Sequence, residues 1–355
     1  MILILPVAGQ STRYPNMRPK WMLNHPNGNL MLAQSFLGWD LRAVESIVVI
    51  CLRQHEEQYQ VQQMLAKQFA KLGLLEKLRV VVIEQSDSQP HSVYQGLMQA
   101  GISGPIFIKD SDNYFSHTPK GLNEICFASI SDYNSQNVAN KSYIVMNEVG
   151  GIINIVEKRI ISDTFCTGGY GFADAGDFIR VFEGLRDVPN LYISHVVYKM
   201  MLDGFVFSGA SVSNYLDWGT LEDWNQYRQQ YCTLFIDLDG VLVENSAEYF
   251  QPFWGETGAI APNVDAINRL YEAGYAEIVL TTSRPHEAEQ ITREQLARLG
   301  VKYNQILFGL LHARRILVND YSPSNPYRSC DAINIQRNSS QLAEMLQGLI
   351  HLQSK

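Results

Sequence analysis

Residues 232–246, CTLFIDLDGVLVENS, carry the most specific pattern in the chain: an apolar or β-branched run (233–236) that ends in DLDG (237–240). The run predicts a buried strand. Two aspartates two residues apart at the carboxyl end of a parallel strand point together into the crevice where such sheets bind ligands. Their repulsion raises one pKa unless a hard cation such as Mg²⁺ neutralises it, so Asp237 is a candidate nucleophile toward phosphorus and Asp239 a candidate acid/base. The structural alternative is an Asp-Gly hairpin turn.

Two more strand-like runs follow in the same part of the chain. Residues 276–280 lead into the sequence TTSR (281–284), and residues 315–319 lead into Asp320. With DLDG and this order of motifs, residues 232–355 resemble the haloacid-dehalogenase (HAD) superfamily of phosphatases, whose first motif is DxDGT/V. The resemblance implies a small parallel sheet of Rossmann type.

The HAD resemblance also implies roles for particular residues. Thr282 would bond the transferring phosphoryl group, with Thr281 as a rival for that role, and Asp320 would complete the Mg²⁺ site of Asp237 and Asp239. Only about twenty residues separate the first motif from the next helical pattern, which is too short for an inserted cap domain. We therefore expect an open, capless site.

One expected residue is missing from the HAD pattern. The lysine of the third motif is absent, since Gly309, Leu310 and Leu311 stand where many relatives have Gly-Lys-Pro. Arg314, taken here as a substrate-binding residue, or Arg315 or Lys302 could supply the positive charge. Arginine is planar and longer than lysine, so this substitution questions turnover more than fold.

Composition places the chain among globular proteins. Of its 355 residues, 46% are hydrophobic and 18% are charged. A chain of this length can form two domains, each with its own core. The net charge of −8 and the lack of basic runs argue against nucleic acid as a partner. No apolar run reaches the length of a membrane span, no signal-peptide pattern is present, and five cysteines without CxxC spacing suggest reduced thiols. We expect a cytoplasmic protein without membrane contact.

The part of the chain before residue 232 alternates between strand-like and helix-like segments. The strand-like runs are 2–5, 46–51, 79–84 and 105–109, and the helical patterns are 31–43, 54–72 and 91–100. This alternation predicts βαβ units in a mostly parallel sheet. We predict two domains, 1–231 and 232–355.

The first predicted strand runs into AGQSTR (8–13), followed by RPKWML (18–23). A turn of small residues lets backbone N–H groups approach phosphate oxygens closely. Arg13 and Lys20 could then neutralise a triphosphate and the departing pyrophosphate. An ordinary strand-to-helix turn with solvated cations is the alternative.

Two further acidic residues follow strand-like sequence in this first domain. Asp112 lies in SDNYF (111–115) after a buried run, and Asp217 lies in DWGT (217–220). A doubly wound sheet could bring both to one crevice to hold Mg²⁺. A turn or capping role is the alternative for each.

A Glu-Lys pair, Glu157 and Lys158, closes another apolar run and precedes GGYGF (168–172). The carboxylate could bind substrate hydroxyls and the ammonium its phosphate, and the glycines would let backbone approach a flat ligand. The alternatives are a surface ion pair worth about 0–1 kcal/mol and a tight turn.

Residues 1–231 are similar to the sugar-phosphate nucleotidyltransferases. The similarity lies in motifs that occur in the same order: AGQSTR with PKWML, SDNYF, VEKR, GGYGF and DWGT. The family pattern is AGxGxR…PKxL, GDN, EKP, a GG/TGxY strand and DxGT. Three departures are Ser11 for the second glycine, Ser111 for the glycine of GDN, and Arg159 for the proline. The resemblance implies a mixed, three-layer α/β sheet domain. It also implies attack by a sugar, polyol or choline-type phosphate on the α-phosphorus of a nucleoside triphosphate (NTP).

The nucleotidyltransferase resemblance assigns site residues by motif. The nucleotide would bind at Ala8, Gly9, Ser11 and Gln85, the triphosphate at Arg13 and Lys20, the acceptor at Glu157, Lys158 and Gly169, and Mg²⁺ at Asp112 and Asp217. The match around residue 85 is loose and does not identify the base.

Together the two resemblances predict a bifunctional Mg²⁺-dependent enzyme that supplies activated building blocks for surface or capsule polysaccharides. Its partners would be an NTP, a small phosphorylated sugar or polyol, and possible second copies of the chain. One alternative keeps the transferase, which could be of the phosphocholine cytidylyltransferase type, and makes the second domain a non-catalytic binding or scaffold module. Another alternative makes both domains sensors of nucleotide or phosphate.

Overall fold

A computed structural model describes residues 1–9, 17–132, 138–246, 253–320 and 329–349 of the chain. It divides into two compact units, Met1–Trp224 (the first unit) and Asn225–Lys355 (the second unit). The division falls a few residues before the boundary predicted at 231/232. No helix among the described residues is long and apolar enough to cross a bilayer.

The first unit is built around a mixed β-sheet. The strands described in this unit are β1 (Ile2–Pro6), β2 (Ser46–Leu52), β3 (Leu78–Ile83), β4 (Ile106–Lys109), β5 (Asn113–Ser116), β6 (Glu124–Ser129), β7 (Ser142–Met146), β8 (Ile152–Glu157), β9 (Thr164–Phe172), β10 (Ser208–Ser211) and β11 (Ser213–Asp217). The main sheet has the order β10-β6-β9-β4-β1-β2-β3, while β7 pairs with β8 and β9, and β5 pairs with β11 as a separate ribbon. Strands β4, β1, β2 and β3 are parallel, which confirms the prediction from the four apolar runs.

Seven α-helices begin within the described part of the first unit. They are α1 (Met31–Phe36), α2 (Arg53–Tyr59), α3 (Val61–Lys71), α4 (Gln89–Ala100), α5 (Ala175–Glu183), α6 (Ile193–Leu202) and α7 (Leu221–Arg228), which runs past the point of division. Two predicted helices are shorter than expected. The 54–72 helix breaks at Gln60, whose φ of 51° is left-handed, and the 31–43 helix ends at Phe36. After that end, the Asp40 side chain accepts from the Arg42 N–H and caps a separate 3₁₀ turn.

Side chains that alternate along β1 and β2 explain the layering of the first unit. Ile4 and Val48 face one cluster with residues of α4, α5 and α6, whereas Leu3 and Ile47 face another with residues of α1 and α3. Successive strand residues point to opposite faces, so a continuous apolar run buries both faces. The sheet therefore forms the middle of three layers, and its carboxyl edge is left for a site.

The second unit contains a three-stranded parallel sheet in the order β12-β13-β14. Its elements are β12 (Cys232–Asp237), α8 (Ala261–Glu272), β13 (Ala276–Thr281), α9 (Glu289–Arg298), β14 (Gln305–Leu307) and α10 (Leu342–Leu349). Ile236, Ile267, Leu280 and Leu296 are among its buried core residues. The predicted strands at 233–236 and 276–280 are confirmed, and α8 is the helix that was expected about twenty residues after the first motif.

The expected strand at 315–319 is wrong. These residues have no regular secondary structure, and Ile316, Leu317 and Val318 are 69%, 54% and 91% exposed. No strand pairs with the second edge of β12 in the described ranges. Strand propensity measures how well a residue fits a half-buried sheet surface, so three apolar residues between charged neighbours do not impose a strand. The second unit is thus a small parallel α/β unit.

Candidate functional site

A polar cavity of about 900 Å³ lies in the first unit, where the carboxyl ends of β1, β3 and β4 meet residues of β7, β8 and β9. Ala8 and Gly9, two of the residues predicted to bind the nucleotide, follow β1 and line the cavity. Ser11 and Arg13 fall outside the described residues. The position agrees with the general rule that open α/β sheets bind ligands at the carboxyl ends of their strands.

The fold brings Asp112 and Asp217 to the same wall of this cavity. Strands β5 and β11 pair so that Asp217 lies opposite Asn113, and the Trp218 N–H donates to the Asp112 carbonyl at 2.9 Å. Lys20 also lines the cavity, and its ammonium bonds the Asp112 carboxylate. Three residues predicted from separate motifs therefore share one site.

Asp217 has its own lysine, which the sequence motifs did not identify. Lys141 Nζ donates to Asp217 Oδ2 at 2.5 Å and to the Tyr215 hydroxyl at 2.8 Å. Burial lowers the pKa of Lys141, but the Tyr215 and Asp217 oxygens outweigh burial and raise it well above the ordinary lysine range. The ammonium therefore stays charged at neutral pH.

The donor set fits Mg²⁺. Protein sites usually hold this ion with one or two carboxylates together with waters and substrate phosphates. Asp112 and Asp217 supply two carboxylates. Each carboxylate already lies beside a positive charge, the ammonium of Lys20 or of Lys141. The described ranges contain no group of three or more His, Cys, Asp or Glu side chains that could hold a metal. An ion here would therefore rely on phosphate oxygens for other ligands.

Glu157 and Lys158 line another part of the cavity, at the open end of the β7–β8 hairpin. The Ser142 and Ser194 hydroxyls both donate to Glu157 Oε2, from Ser194 at 2.7 Å. Lys158 bonds the Tyr192 hydroxyl, with its ammonium 4.3 Å from the Tyr192 ring centroid. The pair is thus not a simple surface ion pair, because each member has separate partners facing the cavity.

Gly168, rather than the predicted Gly169, lines the cavity. Its φ is +80°, and a Cβ there would lie 2.3 Å from Asp110 Oδ2. At Gly169 a Cβ would instead meet Cys126 and Phe115 at 2.9 Å. Gly168 therefore leaves room for the Asp110 side chain at the cavity wall, and Gly169 is needed for packing between strands.

Gln85 is exposed and does not line the cavity, while its carbonyl accepts from Gln95. The neighbouring Gln89, at the start of α4, does line it and donates to Asp110 Oδ1 at 2.5 Å. Burial and the nearby Asp112 raise the pKa of Asp110 to about 6. A second acidic residue two positions before Asp112 was the signal that could have identified Asp110.

Solved structures are similar to this chain, although no protein-family profile and no curated protein matches it. The crystal structure of the nucleoside-diphosphate-sugar pyrophosphorylase from Vibrio cholerae RC9 aligns with 64% of this chain and 99% of its own, with a TM-score of 0.52 and 18% identity. The inositol-1-phosphate CTP transferase from T. maritima aligns with 62% of this chain and 90% of its own, with a TM-score of 0.49 and 15% identity.

The first unit has the fold of the V. cholerae pyrophosphorylase. At 18% identity the similarity shows the fold alone. It supports the mixed three-layer architecture that the motifs of residues 1–231 predicted.

In the second unit, Asp239 is held by a buried arginine. Arg284 is 1% exposed and donates from Nε and a terminal nitrogen to the two Asp239 oxygens at 3.0 and 2.7 Å. Its other terminal nitrogen donates to Thr292 and Gln295 on α9, at 2.9 and 2.8 Å. Both oxygens of Asp239 thus accept hydrogen bonds from one buried guanidinium, and this arrangement opposes the predicted acid/base role.

Asp237 lies at the end of β12 and is partly exposed. Arg315 donates to its Oδ1 at 3.0 Å, and burial raises the pKa of Asp237 while Arg315 opposes that shift. Of the cations considered for the missing lysine, Arg315 is therefore the one at Asp237. Lys302 is bonded to Glu272, and Arg314 is exposed.

The expected Mg²⁺ triad of the second unit does not form. Asp320 is exposed in a segment without secondary structure, and the described residues contain no metal-competent group that includes it with Asp237 and Asp239. Thr282, rather than its rival Thr281, lies near the pair, with its hydroxyl 3.4 Å from Asp239 Oδ2. Thr281 donates instead to the Ile236 carbonyl at 3.2 Å. This arrangement does not fit a Mg²⁺ site.

Proposed function

We propose that the first unit transfers a nucleotidyl group from an NTP to a small phosphorylated sugar or polyol and releases pyrophosphate. The observation that carries this proposal is one cavity in which paired carboxylates and lysines face a second polar group. Lys20 with Asp112 and Lys141 with Asp217 form the first group, and Glu157 with Lys158 forms the second. The fold shared with a protein described as a nucleoside-diphosphate-sugar pyrophosphorylase supports the same reaction class.

The residues divide between the two substrates of this reaction. An oxygen of the acceptor phosphate attacks the α-phosphorus, and the bond from that phosphorus to the pyrophosphate oxygen breaks. Lys20 would bind the triphosphate and stabilise the departing pyrophosphate, the role that the motif also predicts for Arg13. Asp112 and Asp217 would hold Mg²⁺, which offsets phosphate charge when bound.

Recognition of the acceptor would fall to the β7–β8 hairpin. Glu157 already accepts two hydroxyl groups, those of Ser142 and Ser194, so substrate hydroxyls could replace or join them. Lys158, which is exposed and lines the cavity, would bind the acceptor phosphate as a point charge. Together they would favour a phosphate ester that also carries hydroxyl groups.

The test is pyrophosphate release by the full chain with Mg²⁺, across the common NTPs and a panel of phosphorylated sugars, polyols and choline phosphate. We expect turnover with one hydroxylated acceptor. Lys20→Met should lower kcat/KM for the NTP by at least about 100-fold, since charged hydrogen bonds to the reacting phosphates are lost. Lys67→Met, on the exposed side of α3, is the matched control. Pyrophosphate release that survives Lys20→Met unchanged would refute the assignment.

For the second unit, the contacts support a binding or scaffold role rather than the predicted phosphatase. Asp239 is locked by Arg284, Asp237 is bonded by Arg315, and Asp320 does not join them. A phospho-aspartate mechanism needs a free nucleophile and a group that can donate a proton. Arg284 engages both oxygens of Asp239, and Arg315 engages Oδ1 of Asp237.

Hydrolysis of p-nitrophenyl phosphate with Mg²⁺ tests this second proposal. We expect the wild type and Asp237→Asn to give the same background rate. Hydrolysis that the wild type performs and Asp237→Asn abolishes would instead establish the phosphatase.

A further inference from the structure

Lys141 connects the two groups of residues in the cavity. Its position is immediately before β7, opposite Lys158 at the end of β8, and its carbonyl accepts from the Lys158 N–H at 3.0 Å. Its ammonium reaches the other way, to Asp217 and Tyr215. One residue thus touches both the carboxylate side and the acceptor side.

The carboxylate of Asp217 is fully engaged by these contacts. Lys141 bonds Oδ2, and the Gly219 N–H donates to Oδ1 at 3.0 Å. The Lys141 and Asp217 side chains are only 17% and 15% exposed, so their attraction is weakly screened. A divalent cation that approaches Oδ2 meets the Lys141 ammonium at the same oxygen, and the two positive charges repel each other strongly at this depth.

We propose that the Lys141 ammonium competes with a divalent cation for the Asp217 carboxylate. In the free protein Lys141 neutralises Asp217, and the divalent cation binds weakly. When phosphate groups enter the cavity, they offer Lys141 another anion and release Asp217 to the cation. Lys141 is thus a positioning residue that couples cation binding to substrate binding.

This proposal rests on the proposed function in one respect, that Asp217 is a cation ligand. Its test uses no nucleotide, so it can fail while nucleotidyl transfer is confirmed, and it can succeed if transfer is absent. The probe is Mn²⁺ alone, titrated into the full chain and followed by electron paramagnetic resonance, with Mg²⁺ as a competitor.

Lys141→Gln is the main variant, because an amide can still donate to Asp217 and Tyr215 without carrying charge. We expect it to bind Mn²⁺ at least about tenfold more tightly than the wild type, since one nearby positive charge is removed. Lys141→Arg keeps the charge and should stay weak. Lys67→Met, an exposed lysine of α3 that does not line the cavity, should change the Mn²⁺ affinity less than twofold. Lys141→Gln combined with Asp217→Asn should lose the gain.

Thermal unfolding with and without Mn²⁺ provides a second measurement that also reports whether each variant folds. A cation that binds only the folded state raises Tm more where it binds more tightly. The Mn²⁺-induced rise should therefore be larger for Lys141→Gln than for the wild type. Equal rises, or equal affinities in the wild type and Lys141→Gln, would overturn the proposal, as would a gain of the same size in Lys141→Arg.

Discussion

The Trp218 N–H donates to the carbonyl oxygen of Asp112 at 2.9 Å. This single backbone bond extends the pairing of β5 and β11 and sets Asp217 beside Asp112, although the two lie in distant parts of the chain. Each carboxylate then meets a lysine from a third and a fourth segment, Lys20 and Lys141. The charge distribution of the cavity is therefore assembled from four separate loops and strand ends.

Glu157→Gln should weaken acceptor binding selectively. Glu157 accepts hydroxyl donors through Oε2, and the neutral amide forms weaker bonds of this kind. We expect kcat/KM for the acceptor to fall by about 10- to 100-fold, with KM for the NTP within twofold of the wild type. Glu148→Gln, in the exposed turn of the same hairpin, should leave both constants unchanged. An equal loss for the two substrates would show that Glu157 does not recognise the acceptor.

Gly168→Ala should destabilise the first unit more than Gly204→Ala. Both glycines have positive φ, +80° and +93°, so each alanine is strained by about 1–2 kcal/mol. Only at Gly168 does the new Cβ collide with a neighbour, Asp110 Oδ2 at 2.3 Å, which adds about 1–3 kcal/mol. Urea unfolding of the two variants measures the difference. Equal losses would mean that Asp110 moves without cost.

Arg284→Met should strongly destabilise the second unit. Removing one partner of a buried ion pair leaves an uncompensated charge and costs about 3–5 kcal/mol. Arg293→Met, which breaks a half-exposed pair with Glu289, is the control and should cost about 0–1 kcal/mol.

Hydrogen exchange of the β12 and β13 amides localises the Arg284 effect. Adding Asp239→Asn to Arg284→Met should restore part of the lost protection, because the unpaired charge is then gone. If Arg284→Met loses no more protection than Arg293→Met, the Arg284–Asp239 ion pair does not stabilise the second unit.

His25 should make the first unit sensitive to acid. Burial lowers the pKa of His25 from 6.5 to about 4, while the bond with Asn27 partly opposes this shift. Because the pKa is lower in the folded state than in the unfolded state, the free energy of unfolding has its full value above pH 6.5, where the ring is neutral in both states. That stability is lost as the pH falls from 6.5 through 4, and the loss is of the order of 2–3 kcal/mol.

His25→Gln should flatten this pH dependence. Tryptophan fluorescence during urea unfolding follows it directly, because Trp218 and Trp224 lie 6.0 and 6.3 Å from the His25 ring. As the pH falls from 6.5 to 4, the free energy of unfolding of the wild type should fall toward that of the variant. Parallel curves would show that another group titrates in that range.

Much of the fold was predictable because its signals are local. Strands β1 to β4, β12 and β13 follow from apolar runs, and α4 follows from helical spacing, since both patterns reflect which face of a short segment is buried. The break at Gln60 was not predictable, because no glycine or proline marks its left-handed backbone. The exposed segment 315–319 has apolar, strand-like residues but no partner strand in the described residues.

Local sequence patterns were enough to predict the two α/β segments and the motif residues that reach the cavity of the first unit, among them Lys20, Asp112 and Glu157. The pairing of cations with carboxylates, Lys141 with Asp217 and Arg284 with Asp239, became visible in the folded chain. Propensity and periodicity act within a few neighbouring residues. Ion pairs depend on the distance between remote segments and on their shared burial, which no local pattern specifies.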